Sequence, residues 1–183
     1  MSQGKLRVRS VRRAIATIAL SVMVGPTPAY SAIVQSSPKE HFVSVARKLE
    51  RSPLDPNAKS DREWALGWLT DAPDVSVTVC ADPLGGLVGS SYEYGPEILI
   101  QYMFAMAVRL IERPEASTDP KAVQLAGVEG ALTAYQAILA HKPEARSSDL
   151  DRIVAAQSRG ELPAFVGNAF ETCLKKDAER QAN

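Results

Sequence analysis

Cys80 and Cys173 are the only thiols in this chain of 183 residues. A thiol pair can form a disulfide or supply a redox or nucleophilic centre. No Cys-x-x-Cys spacing is present, and no sequence neighbour marks either cysteine as activated. In an oxidising compartment two cysteines of one small domain pair. The sequence therefore predicts a Cys80–Cys173 bridge that ties the last helix to the middle of the chain.

The other reactive residue types are dispersed. His41 and His141 fall on separate predicted helices, whereas a metal site needs several ligands at helix or loop spacing. His141 near a helix C-terminus is explained by the dipole there, and His41 reads as a surface residue. Neither is expected to bind metal, and no cofactor is predicted. Ser90-Ser91 has no identifiable base, and Leu84-Gly85-Gly86-Leu87 lacks the Lys-Ser/Thr of a phosphate loop. No catalytic residue is predicted. Among the carboxylates, Glu129 lies between Val128 and Gly130 in an apolar helix. It is a candidate buried acid with Arg109 as partner; the competing reading is an exposed carboxylate at the edge of the apolar stripe. Acid–base chemistry would need a second group and a cleft.

Tyr92-Glu93-Tyr94 is the candidate binding surface. Two tyrosines in a Gly-rich loop ahead of a rigid helix could present aromatic anchors to a partner. Equally, the rings could fold back onto the core.

The compartment follows from the first residues. Met1 to Ser31 carries Lys5, Arg7, Arg9, Arg12 and Arg13 and no acid. An apolar run from Ala14 to Val24 follows, broken by Gly25, Pro26 and Pro28 and ending on Ala29, Ser31 and Ala32. That order reads as a secretory signal peptide. The run is about half the roughly 20 residues that a membrane span requires. Residues 1–31 are thus expected to be cleaved, leaving residues 32–183 as one periplasmic or secreted domain. The whole chain has 21 basic and 21 acidic residues, and the leader holds five of the basic ones. The mature chain is therefore acidic and has no Lys/Arg cluster, which argues against nucleic acid as a partner. No second apolar run is long enough to span a membrane.

Helix signals fill the rest. Ser37-Pro38-Lys39-Glu40 is a capping box followed by Phe42, Val45, Ala46 and Leu49 at helical spacing. Ser60-Asp61-Arg62-Glu63 repeats the signature and predicts a short, largely buried helix with Trp64, Leu66, Trp68 and Leu69. Over Asp74 to Cys80, Val75, Val77 and Val79 alternate with Ser76 and Thr78, a strand pattern. Val77, Cys80, Leu84 and Leu87 also make a helical stripe. A lone strand has no evident partner here, so helix is preferred. A loop then runs from Pro83 to Gly95. Residues 96–112 are apolar on almost every side and belong at the centre of a domain. Asp119-Pro120 caps a helix over 120–141. Gly127 and Gly130 each cost it about 1 kcal/mol relative to alanine, which predicts a close approach by the central helix. Ala131 to Pro143 resembles the second helix of a tetratricopeptide repeat, but no repeat period is visible and the likeness is one of hairpin packing. Ser147-Ser148-Asp149 caps a short helix, and Leu162–Lys176 forms the last one before a polar, frayed tail.

The predicted fold is mainly α, a single multi-helix domain of about six helices around an antiparallel hairpin of residues 96–112 and 120–141. The expected function is that of an exported binding or scaffold module in the cell envelope, without catalysis and with a protein partner. An inhibitor or immunity-type protein that blocks a partner enzyme, or an enzyme of unread type, are the alternatives.

Overall fold

A computed structural model describes residues 36–182 except Val88; the leader and its cleavage site fall outside the described residues. The described chain holds six α-helices, two 3-10 turns and no strand.

Helix α1 (Pro38–Arg51) starts at the capping box read from the sequence. The Ser37 N–H donates to Glu40 Oε2 at 2.7 Å, and the Glu40 N–H donates to Ser37 Oγ at 3.2 Å. Its apolar face buries Phe42, Val45, Ala46 and Leu49.

Helix α2 (Ala58–Asp71) departs from expectation at its start and on its surface. It begins after Asn57, and the Ser60 hydroxyl donates to the Asn57 carbonyl instead of capping. Trp64 and Leu66 are 39% and 37% exposed. The helix is covered on one side only. Ala65, Trp68 and Leu69 share that side at helical spacing, with Trp68 stacked on Phe42 at 4.5 Å. Leu66 points away from it, while Trp64 sits at its rim with its ring edge-on to His41 of α1 at 4.3 Å.

Residues 74–81 are neither helix nor ladder, which overturns the helical expectation. Side chains of distant helices take up the backbone polar groups that a helix would have paired. The Gln124 Nε2 donates to the Thr78 carbonyl at 2.8 Å. The Tyr102 hydroxyl donates to the Cys80 carbonyl at 2.8 Å and also meets Gln124 Oε1. Cys80 and Cys173 form the expected disulfide, with Cα atoms 6.2 Å apart. A 3-10 turn, Asp82–Leu87, follows. Its Gly85 has φ of +66°, and a Cβ on Gly86 would lie 2.7 Å from the Asp149 carboxylate. The glycines let Asp149 and its helix approach this turn.

Helix α3 (Gly95–Glu112) is the centre of the domain. Ile98, Tyr102 and Met106 face one apolar cluster, and Phe104, Ala107 and Val108 face the cluster built with α1 and α2. Two covered sides explain a helix that is apolar all round. Gln101, which interrupts it, is buried and donates to the Ala46 carbonyl at 3.3 Å. The Pro114–Thr118 turn leads to helix α4 (Pro120–His141), whose first turn is capped by Asp119 Oδ1 accepting from the Ala122 N–H at 3.1 Å. Gly127 faces Tyr102 and Met106, while Gly130 faces Ala105 and Gln101. Tyr102 meets Gln124 near the start of α4, and Tyr94, ahead of α3, meets Lys142 just past the end of α4, so the pair is antiparallel. Helix α5 (Ser148–Ser158) is capped by Ser147, and helix α6 (Leu162–Gln181) completes the domain. The expected frayed tail is helical to Gln181. Lys176, just before it, pairs with Asp82 at 2.7 Å, and within it Arg180 pairs with Asp177 at 3.0 Å. The described residues make one compact unit. Among the described residues no helix is long and apolar enough to cross a membrane.

Candidate binding cleft

The loop before α3 and the loop after α4 face each other, and three tyrosines decide their geometry. Tyr94 is buried; the Lys142 ammonium donates to its hydroxyl at 2.5 Å. Tyr92 is half-buried, with its ring edge-on to Tyr94 at 5.9 Å and to Tyr135 at 6.2 Å. Its hydroxyl donates to the Ala145 carbonyl at 3.1 Å, joining the two loops. Tyr135 fixes the far side. Its hydroxyl donates to Asp151 Oδ1 at 2.7 Å and accepts from the Ser147 N–H at 2.9 Å. Asp151 in turn accepts from Arg146, whose Nε lies at 3.1 Å.

The rings of Tyr92 and Tyr94 thus fold back onto the core and build walls, while Glu93 stays exposed. Between the loops lies a polar cleft of about 390 Å³, bordered by Ser90, Ser91, Glu93, Glu144, Arg146 and Asp149. Arg146 is held by Asp151, and Asp149 is held by Arg152. Glu93 and Glu144 join no ion pair at contact distance among the described residues, though both act on the Lys142 ammonium, so the cleft offers carboxylate acceptors. Ser90 is committed to its own turn, donating to the Leu87 carbonyl at 2.8 Å. This arrangement suits N–H donors and cations on a partner.

The other residues singled out by sequence lie elsewhere. Glu129 is exposed, and no ion pair joins it to Arg109 among the described residues. The reason is helical phase: Gly127 and Gly130 occupy the face toward α3, and residue 129 points away from it. Arg109 is half-buried, with a buried Nε that has no hydrogen-bond partner. The disulfide braces residues 74–81 outside the cleft. His41 is exposed with its ring against Trp64, and His141 is exposed at the end of α4. Sequence reasoning missed the second wall. Its signal was the polar run Glu144 to Ser148 after Pro143, of which the sequence reading uses only the serines, as a cap. The buried pair Tyr102 and Gln124 was also missed; a glutamine in an otherwise apolar helix was the available sign.

Burial pushes the hydroxyls of Tyr92, Tyr102 and Tyr135 above the ordinary tyrosine value. The unfolded chain ionises them from about pH 10, while the folded chain keeps its protons. The unfolded state then binds fewer protons, so stability falls as pH rises through that range. Urea midpoints measured from pH 8 to 11.5 should decline above pH 10, and Tyr102→Phe should flatten the decline. A midpoint that is level up to pH 11.5 would refute the assignment.

The fold and cleft define a disulfide-braced, all-α domain. No family model matches the chain, and neither a curated protein nor a solved structure matches it.

Proposed function

We propose that this chain is an exported helical binding module of the cell envelope, which holds a protein partner in the cleft between residues 90–93 and 144–149 and performs no catalysis. The observation that carries this reading is the bond from the Tyr92 hydroxyl to the Ala145 carbonyl. It fixes two loops against each other, and a fixed cleft loses little freedom on binding. Glu93 and Glu144 then act as acceptors for basic groups of the partner. Export rests on the basic, apolar and small-residue order of the first 31 residues, and a disulfide suits an oxidising compartment. Intact mass of the protein from its native host should place the mature N-terminus between Tyr30 and Ile33. A full-length cytosolic species as the main form would overturn export. For binding, the mature domain is used to capture partners from envelope extract beside a Glu93→Lys, Glu144→Lys variant. A discrete protein retained by the wild type and lost by the variant supports the cleft. Equal retention by both moves the binding site elsewhere.

A further inference from the structure

Residues 74–80 carry a second surface, independent of the cleft. Val75 is buried and Val77 half-buried against the core, whereas Asp74, Ser76 and Thr78 line an open groove of about 380 Å³. Residues that alternate between two faces describe an extended strand. In such a strand the N–H and C=O groups of alternate residues point to opposite edges. The Thr78 and Cys80 carbonyls accept from Gln124 and Tyr102, so the even-numbered residues turn their polar groups toward α3 and α4. Val75, Val77 and Val79 turn theirs to the other edge. Among the described residues no hydrogen bond satisfies those groups, and Val79 is 46% exposed. Val77 and Val79 are half-buried and exposed, so their unpaired groups form an open strand edge that begins beside the buried Val75.

We propose that this edge pairs with the same segment of a second copy, forming an antiparallel two-stranded ladder across a two-fold axis at Val77. The sequence favours a second copy over another partner. Val75-Ser76-Val77-Thr78-Val79 is a near-palindrome without charge. Antiparallel pairing about Val77 sets Val75 opposite Val79, Ser76 opposite Thr78, and Val77 opposite itself. An isologous interface requires that self-complementarity, and β-branched and hydroxyl pairs are favourable across strands. The register places Asp74 opposite Cys80, so like charges do not meet. The disulfide, Tyr102 and Gln124 hold the strand in place before pairing.

The test uses the chain from Ala32 onward. Sedimentation across a concentration series should show a monomer–dimer equilibrium. Val79→Pro removes an N–H from the pairing edge at an exposed side chain and should leave a monomer with unchanged helical circular dichroism. Ser76→Pro removes an N–H from the opposite edge and should still dimerise. Residue-resolved amide exchange on the wild type needs no variant that must fold. Val75, Val77 and Val79 amides should slow roughly tenfold or more as the dimer forms, while Ser76 and Thr78 amides keep their rates. A chain that stays monomeric overturns the proposal, including one whose edge takes only another protein's strand. So does a dimer that Val79→Pro leaves intact, or exchange that slows at even and odd positions alike.

Discussion

Replacing Cys80 and Cys173 together by alanine should lower the unfolding free energy by about 2–5 kcal/mol. The bridge joins residues 93 apart in sequence, and the chain-entropy model gives about 4.7 kcal/mol for a loop near that size. The folded state also loses an anchor. Cys80 is buried, its carbonyl accepts from Tyr102, and the segment it holds makes no ladder of its own. The double replacement avoids leaving one buried thiol without its partner. Urea denaturation followed by circular dichroism, at a concentration low enough to keep the chain monomeric, reads the effect. Reductant should bring the wild type to the variant's midpoint and leave the variant where it is. Coincident midpoints for the oxidised wild type and the variant would show that the bridge constrains nothing.

The elements most legible in the sequence are those fixed by neighbours along the chain. Ser37 with Glu40, Asp119 and Ser147 each cap the helix that they announce, because a cap needs only residues three positions away. The apolar run of α3 implied its central place, since burial on both sides is the one arrangement that hides such a surface. The strand-like residues 74–80 could not be read that way. Their carbonyls are taken by Tyr102 and Gln124, which lie 22 and 46 residues away for the bonds concerned. Trp64 failed for a related reason. Its helix has one covered side, and which residues face that side depends on how α2 lies against α1. In the cleft, Tyr92 and Tyr94 stood out as residues with a role, but the direction of their rings is set by Ala145 and Lys142, 53 and 48 residues on. The acceptor wall of Glu144 to Asp149 becomes a wall only when that loop closes on the other.

Gly130→Leu should destabilise the domain by about 1–3 kcal/mol, the usual cost of forcing extra carbon into a filled core. Gly130 is buried in α4, where even a Cβ would overlap the Ala105 Cβ. That neighbour cannot swing aside, because an alanine Cβ moves only with its backbone. Accommodation therefore means parting α3 from α4, which disturbs Tyr102, Met106 and the apolar cluster between the helices. At an open helical site the sign reverses, since removing a helix-interior glycine gains up to about 1 kcal/mol. Gly167 in α6 is such a site, with no atom within 4 Å of where its Cβ would stand. Gly167→Ala should accordingly raise the urea midpoint while Gly130→Leu lowers it. Gly130→Ala should fall in the same direction as Gly130→Leu, because the overlap begins at the Cβ. A raised midpoint for either Gly130 variant would mean that α3 and α4 do not touch at this position, and the hairpin would lose its place as the organising contact of the fold.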